Sequence, residues 1–415
     1  MSKFFKVIFA LQIFLALPLA AKFEFKLSNG AKLEVDTKGA PQINSIFHSP
    51  KLRLLASASK NLICIWDAKN FKLLQKIYDV KIGDVNEIVC TQDFNSVYIA
   101  SGNPAKEGRV LLLNLKDKKI ETLLESKDEF LSIAISSDGK YLASGSADGK
   151  LAIISTSDNS IIASDVFSNA KVVSLKFNVT SNTLAILLSN GQVISRNSED
   201  SFKSNATSLS VGGGAQNMLF LNRAEIGLPI DSTYGGKFAT VQRFLPRTLR
   251  YAKIPIEAPS AVRLRYNAKN LVAMASFKGE LLTMRSSIDN PNFTFFEKSP
   301  SPILDIAPCA MASILASTLN GEIFIWSELD KRISGGIVIC DESCESYAVF
   351  ASSGSVFASD KKILKVVAKD GRDISDSAFS ESKTASEISK IGRPNTPKKR
   401  AKTQNQKLKK QTEAK

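Results

Sequence analysis

Histidine is almost absent from this chain, in which His48 is the single example among 415 residues. Catalytic triads and most zinc sites use histidine as base or ligand, so the sequence argues against both. Cysteine is scarce too, and no C-x-x-C spacing occurs for haem attachment or a zinc ribbon. Acidic residues show no spacing typical of an acid–base pair. We therefore expect no enzyme activity, catalytic residue, metal or cofactor.

Long apolar runs are missing beyond the N-terminus, where residues 7–21 are apolar except for Gln12 and follow Lys3 and Lys6. A helix over that run would span roughly 22 Å, short of a bilayer core of about 30 Å. The pattern predicts a secretory signal peptide over residues 1–21 and a periplasmic protein. An uncleaved membrane anchor is the alternative.

A repeated unit fills most of the remaining sequence. Pairs of apolar strands enclose a short polar turn, as in LLASASKNLICIWD (54–67) and SILASTLNGEIFIWS (313–327). Glycine recurs at the turn because a hairpin needs positive φ there. The turn positions, at intervals of 41 to 47 residues, are Asn61, Gly108, Gly149, Gly191, Gly236, Gly279, Gly321 and Lys362. With a further strand on each side, this period predicts an all-β propeller of four-stranded blades.

The unit resembles the WD40-type propeller family, which favours Trp-Asp five positions after the turn. Trp66-Asp67 matches fully and Trp326 in part, whereas the histidine of the family's hydrogen-bond network is missing. The resemblance implies structural roles for the residues that match the repeat. They are Trp66, Asp67, Gly149, Gly191, Gly236, Gly279, Gly321 and Trp326.

The repeat divides the chain into a leader (1–21), a WD40-like propeller (22–370) and a tail (371–415). Strand-like segments lie at both ends of the propeller. We expect eight blades, with the last one built from both termini so that the ring closes without exposed edges. Seven blades with extra terminal hairpins are the alternative.

The remaining cysteines raise the question of a disulfide. Cys340 and Cys344 are close enough in sequence for a local bridge in an oxidising compartment, provided that the backbone turns suitably. Cys64, Cys90 and Cys309 lie in apolar strands and are expected to act as small buried hydrophobes.

Positive charge, +15 overall, concentrates in two segments. Residues 393–415 hold nine Lys and Arg against Glu413, and a segment so poor in apolar residues is expected to be disordered. It is either a solvated tail or a tether to an anionic membrane, through Lys398, Lys399, Arg400, Lys402, Lys407, Lys409 and Lys410. Residues 241–266 form either a solvated rim or a partner-binding patch of Arg243, Arg247, Arg250, Lys253, Arg263 and Arg265.

These features predict a non-catalytic, monomeric scaffold that binds periplasmic proteins and no specific nucleic acid. The layout is similar to that of propeller accessory proteins associated with periplasmic nitrate reductase in some bacteria. That resemblance implies a role in maturation of, or electron delivery to, a respiratory enzyme. The alternatives are a propeller hydrolase or quinoprotein with a central-channel site, and an envelope scaffold held to the membrane by its tail.

Overall fold

The computed structural model describes residues 22–212, 214–221, 225–230, 237–242, 249–257, 260–266, 269–285, 292–309 and 313–375. The leader (1–21) and the basic part of the tail lie outside these residues. The chain is built almost entirely from antiparallel β-strands. Two short 3₁₀ helices, Ser198–Asp200 and Lys361–Ile363, accompany them. Within the described chain we find no helix with the length and apolar character needed to cross a membrane.

An N-terminal hairpin precedes the repeated sheets. It consists of β1 (Lys22–Lys26) and β2 (Lys32–Asp36).

Sheets with four antiparallel strands in sequence order then follow one another, and we call them blades. Blades 1 and 2 contain β3 (Ser45–Ser49), β4 (Leu54–Ser59), β5 (Leu62–Asp67) and β6 (Leu73–Tyr78), then β7 (Val85–Cys90), β8 (Ser96–Asn103), β9 (Glu107–Asn114) and β10 (Ile120–Ser126). Blades 3 and 4 contain β11 (Phe130–Ile135), β12 (Tyr141–Ser146), β13 (Lys150–Ser155) and β14 (Ile161–Val166), then β15 (Val172–Phe177), β16 (Thr183–Leu188), β17 (Gln192–Asn197) and β18 (Asn205–Ser210).

The second half of the chain repeats the plan. Blades 5 and 6 contain β19 (Leu219–Phe220), β20 (Glu225–Ile230), β21 (Lys237–Gln242) and β22 (Leu249–Lys253), then β23 (Ser260–Tyr266), β24 (Lys269–Ala275), β25 (Leu281–Arg285) and β26 (Phe293–Phe295). Blade 7 contains β27 (Ile303–Cys309), β28 (Ser313–Thr318), β29 (Glu322–Ser327) and β30 (Ile333–Ile339), and is extended by β31 (Tyr347–Ala351) and β32 (Val356–Ala358). The last strand is β33 (Leu364–Val367).

The first strand of each blade lies beside the first strand of the next, and β27 of blade 7 lies beside β3 of blade 1. Apolar clusters fill the spaces between neighbouring blades, including the space between blades 7 and 1. Strand alternation explains how one strand serves two clusters, because Leu55 faces blade 7 whereas Ala56 faces blade 2. This architecture is a β-propeller.

The chain termini are arranged differently from the eight-blade prediction. β33 pairs with β2, so both ends of the chain join in a three-stranded sheet, β1-β2-β33. That sheet packs on blade 7, with the Phe25 and Phe350 ring centroids 4.8 Å apart. In the described residues it does not form an eighth four-stranded blade between blades 7 and 1. Apolar side chains of those two blades already fill that space.

Five of the predicted turn residues lie between the second and third strands of their blades, whereas Gly108 lies within β9 and Lys362 lies in the 3₁₀ helix before β33. Positive φ occurs at Asn61 (59°), Gly149 (86°), Gly191 (82°), Gly279 (80°) and Gly321 (82°). Gly236 lies outside the described residues. At Gly149 the backbone of the next connection also comes close, because a Cβ there would lie 2.3 Å from Phe167 O. Positive φ and lack of space therefore both favour glycine at this position.

Trp66 lies five residues after its turn residue, and the residues at the equivalent position of blades 4 and 7 are buried as well. Trp66 Nε1 donates to Ser57 Oγ at 2.9 Å, and Trp326 Nε1 donates to Glu297 O at 2.8 Å. In blade 4 this position is occupied by Arg196, which donates to the Asp165 carboxylate of blade 3 and lowers the pKa of that carboxyl group. Asp67 accepts the Lys69 N–H at 2.8 Å and shapes the following turn.

Gly149→Ala is expected to lower the free energy of unfolding by about 2–4 kcal/mol, because it adds a clash with Phe167 O to the strain of positive φ. Gly139→Ala is the matched control, since Gly139 has a φ of 75° and open space around it. Strain alone predicts a loss of about 1–2 kcal/mol in the control. Urea unfolding measures both values, and equal losses would refute the proposed close approach.

Candidate functional site

The innermost strands carry a polar residue at one repeated position near the propeller axis. These residues are separated by 42 to 45 positions in the sequence, as the blades are. We call them the axial ring: Ser45, Glu87, Ser132, Ser174, Asn217, Ser260 and Asp305. The side chain of Ser260 lies outside the described atoms, and it is included by its place at the start of β23.

Backbone irregularity positions several ring side chains. The pairing register shifts directly before Glu87, Ser132, Ser174 and Asp305, which marks a β-bulge in each of those inner strands. A bulge re-aims a side chain and interrupts the regular ladder of hydrogen bonds. The ring residues are thereby able to face the neighbouring blade.

Ring side chains accept backbone N–H groups from the inner strand of the next blade. The donor–acceptor distances are 3.2 Å for Ile88 N to Ser45 Oγ, 2.9 Å for Ile133 N to Glu87 Oε2, 3.0 Å for Leu175 N to Ser132 Oγ, and 2.9 Å for Ile46 N to Asp305 Oδ2. The last bond joins blade 7 to blade 1. A buried N–H without a partner would cost about 1–3 kcal/mol, so these four bonds couple blade 7 to blade 1, blade 1 to blade 2, blade 2 to blade 3 and blade 3 to blade 4.

Charge at the axis comes from Glu87 of blade 2, Asp305 of blade 7 and Lys176 of blade 4. Lys176 Nζ lies 2.9 Å from Glu87 Oε1, so its side chain reaches past blade 3 to blade 2. Burial lowers the pKa of Lys176, but the charge of Glu87 and the hydrogen bond to it outweigh burial, and the net shift is upward. The Lys176 ammonium therefore stays charged and compensates one of the two carboxylates.

Asp305 is the carboxyl group with the most altered titration at the axis. Burial raises its pKa from 3.8 to about 6, and the negative charge of Glu87 adds to this effect. Hydrogen bonds from the Ile46 N–H and the Ile306 N–H oppose the shift. Ser45 Oγ also donates to Asp305 Oδ2, at 3.2 Å, so both carboxylate oxygens have protein donors.

The axial cluster contains ionisable side chains, but their oxygen atoms already accept hydrogen bonds from the protein. A pKa near 6 would suit a general acid or base, yet the oxygens of Asp305 are engaged by the protein. Glu87 is likewise engaged by Lys176, Ser132 and the Ile133 N–H. Among the residues described, no three His, Cys, Asp or Glu side chains are grouped so as to hold a metal ion. We conclude that these charges serve the contacts between blades.

The described strands of the basic segment 241–266 belong to two different blades. Arg250 and Lys253 are exposed on β22, the outermost strand of blade 5, and Arg243 and Arg247 lie in the connection before β22, outside the described residues. Arg263 and Arg265 belong to β23, the innermost strand of blade 6. The structure therefore divides the predicted patch between an outer and an inner strand.

Blade 5 has its own concentration of positive charge. Lys237 and Lys253 are direct cross-strand partners on β21 and β22, and both are exposed. Like charges directly opposite each other destabilise a sheet. With Arg250 on the same outer strand, they make this edge, which we call the basic edge of blade 5, electrostatically suited to an acidic surface.

The structure places His48 and two of the cysteines between elements of blade 7 and its neighbours. His48 is buried between blades 1 and 7, where its Nδ1 lies 2.9 Å from Pro308 O, and burial lowers its pKa. Cys340 and Cys344, for which the sequence left a local disulfide open, are not bridged in this structure. Their side chains enter different apolar clusters, since Cys340 packs towards the terminal sheet and Cys344 towards blade 1.

The axial ring itself was missed in the sequence. Its signal is a polar residue directly before an apolar one at the start of each inner strand, as in Ser45-Ile46 and Asp305-Ile306. Such pairs are common, and only the spacing of the turn residues would have singled them out. The tether lysines of the tail lie outside the described residues.

Comparison with known proteins supports the same architecture. The family model described as Vps42 beta-propeller (Beta-prop_Vps41) matches residues 85–214. That range begins with the first strand of blade 2 and ends just beyond the last strand of blade 4. No curated protein matches the chain. The chain is thus a β-propeller protein, and propellers commonly bind other proteins.

Asp305→Asn is expected to make the stability difference between wild type and variant depend on pH. Because the folded-state pKa is raised, native Asp305 binds more protons than unfolded Asp305 between pH 3.8 and about 6. The contribution of Asp305 to stability is therefore present at low pH and falls as pH rises through this window. The change amounts to at most about 3 kcal/mol.

Urea unfolding of both proteins across this pH range measures the difference. Asp93→Asn is the control, because hydrogen bonds from Thr91 and Asn95 lower the pKa of the Asp93 carboxyl group. Its contribution should show the opposite trend and disappear as pH falls. A wild-type advantage over Asp305→Asn that is constant with pH would contradict the assignment.

Proposed function

We propose that this protein is a non-catalytic, exported scaffold that binds an acidic surface of a partner protein at the basic edge of blade 5. The observation that carries the proposal is the direct pairing of Lys237 with Lys253 on exposed strands. The carboxylates of an acidic partner would reduce the repulsion between these two ammonium groups. This reduction makes the free energy of binding more favourable.

Further positively charged residues lie next to this lysine pair in the sequence. Arg250 lies on the outermost strand with Lys253, and Arg243 and Arg247 lie in the connection that precedes it. Connections on a rigid scaffold are common binding positions. A strand at the outside of a blade is also open to a partner from the side. The basic edge therefore combines charge, exposure and a fixed backbone.

The absence of a catalytic role is part of the proposal. The charged groups at the axis are held by contacts between blades, as described above, and this supports a structural use of the residues that an enzyme would need free. The propeller then acts as a monomer whose outer surface carries its function.

The leader and the tail define where the scaffold acts. Residues 1–21 direct export to the periplasm, and the basic tail holds the propeller near anionic membrane lipids. The partner is a periplasmic enzyme, and the layout favours an accessory role for a respiratory enzyme such as nitrate reductase. In that role the protein positions or matures its partner and carries no cofactor.

Reversal of charge at the basic edge tests the binding surface. In Arg250→Glu/Lys253→Glu, the new glutamate faces Lys237 with opposite charge, so the sheet should keep its stability while acidic partners are repelled. Chemical cross-linking in the periplasm of the source cells, followed by mass spectrometry, should recover a stoichiometric partner with wild type. Recovery with the variant should fall at least about tenfold, as expected from a loss of about 1.4 kcal/mol.

The matched control is Lys116→Glu/Lys119→Glu, which reverses two exposed lysines in the connection between β9 and β10 of blade 2. This variant should recover the partner as wild type does. Equal recovery with both variants would refute the basic edge as the binding surface. Absence of any stoichiometric partner with wild type would refute the scaffold function itself.

A further inference from the structure

Side chains and one backbone hydrogen bond, from the Ile43 N–H before β3 to Thr318 O of β28 at 3.1 Å, hold the boundary between blades 1 and 7 in the described residues. No strand is shared between these blades, since β3–β6 form one sheet and β27–β32 form another. Outside the axis, the Trp66 and Tyr347 rings meet at 5.3 Å, and Lys76 forms an ion pair with Glu345. These contacts join strands of blade 1 to the segment that follows β30. We call this boundary the closing seam.

Two cysteines meet at the closing seam. Cys64 is on β5 of blade 1, and Cys344 is in the loop between β30 and β31. Both are essentially inaccessible, at 0% and 1% exposed, and both belong to the same apolar cluster. Cys344 also helps to raise the pKa of the Cys64 thiol. The Lys76–Glu345 ion pair lies beside the two cysteines. Lys76 is the cross-strand partner of Cys64, and Glu345 directly follows Cys344.

The loop that carries Cys344 is fixed by one carboxylate. Asp341 accepts the Ser343 N–H at 2.9 Å, the Ser343 hydroxyl at 2.7 Å and the Glu345 N–H at 3.1 Å, and it also accepts the Ser346 N–H. The Cys344 N–H is bound by Asp341 O at 3.1 Å. This network holds Cys344 at a φ of 54°, with its side chain towards blade 1.

Cys340 is the first residue of the same loop, and its side chain lies on the opposite side of blade 7 from that of Cys344. Its Sγ lies 3.6 Å from Val338 O, and its side chain packs in the cluster beneath the terminal sheet. A bridge between Cys340 and Cys344 would require one side chain to cross blade 7. A bridge between Cys344 and Cys64 requires no such crossing, because both side chains lie in the same apolar cluster.

We propose that Cys64 and Cys344 form a disulfide that closes the propeller ring covalently. The two thiols lose their hydrogens and two electrons, and a small disulfide such as oxidised glutathione accepts them and becomes two thiols. The bond joins residues 280 positions apart and so encloses most of the propeller. Cross-links that enclose long loops restrict the unfolded chain most strongly.

Burial determines when this bond forms. Burial raises the pKa of the Cys64 thiol, and the contact with Cys344 raises it further, so the folded protein holds little of the reactive thiolate. Neither sulfur is accessible to an oxidant once the seam has closed. Oxidation therefore belongs to the folding process, while blades 1 and 7 are still separating and rejoining.

Refolding of the full chain from reduced, denatured protein in a mixture of reduced and oxidised glutathione tests the proposal. Free thiols are then alkylated, and the protein is cleaved without reduction by a protease that cuts after glutamate. A cut after Glu342 separates Cys340 from Cys344. Mass spectrometry should show the peptide of Cys344 linked to the peptide of Cys64. The thermal midpoint of the oxidised protein should exceed that of the reduced protein by roughly 5 °C or more.

Two alanine variants show which cysteine forms the disulfide, and the comparison holds whether or not the protein needs the disulfide to fold. Cys340→Ala should retain both the linked peptides and the rise in midpoint, whereas Cys344→Ala should lose both. A Cys340–Cys344 link in wild type would overturn the proposal, as would five free thiols in protein that has refolded in the oxidising mixture. Because the assay uses glutathione in solution, its result is independent of the proposed export and of the partner surface.

Discussion

The hydrogen bond between a ring side chain and the inner strand of the next blade is the interaction on which the propeller depends. Apolar packing between blades is strong, with about 1.5–3 kcal/mol for each fully buried large side chain, but it has no direction. The ring bond is directional, because Glu87 and Ser132 each accept one particular N–H of the following blade. It therefore fixes the register at the boundaries where it occurs, from blade 7 to blade 1 and onward to blade 4.

The same interaction explains why charge is found at the axis. Where the ring acceptor is serine, the bond is neutral, and where it is Glu87 or Asp305, a carboxylate must be accommodated in little solvent. Lys176 compensates Glu87 directly, at 2.9 Å. Among the described side chains Asp305 forms no ion pair, and burial raises its pKa to about 6. The charge that crosses from blade 7 to blade 1 is thus the least compensated one in the described ring.

Sequence alone predicted the features that depend on local geometry. The positive φ at Gly149 and Gly321 and the buried position of Trp66 follow from turns and strands within one blade, so their spacing gave the β-propeller fold. The axial ring, the contact of Cys64 with Cys344 and the position of His48 depend on which blades become neighbours. The terminal sheet was anticipated only as a pairing of the two ends, because its packing on Phe350 requires the three-dimensional surface of blade 7.

The basic segment shows the same limit in the candidate site. Arg250 and Arg263 are 13 residues apart in sequence, but they lie on the outermost strand of one blade and the innermost strand of the next. A linear cluster of charge therefore predicted a patch that the fold divides. The facing pair Lys237 and Lys253 was invisible in the sequence, since it arises from the register of β21 with β22.

Native-state hydrogen exchange of the ring amides tests most directly whether the ring bonds couple blades 7, 1, 2, 3 and 4 into one unit. The account predicts that the amides of Ile46, Ile88, Ile133 and Leu175 exchange only through global unfolding, with the same free energy of opening. Ile46 is the decisive amide, because its acceptor Asp305 lies across the closing seam. Exchange of Ile46 through a local opening, while Ile133 remains protected, would show that blades 1 and 7 separate independently and would contradict the account.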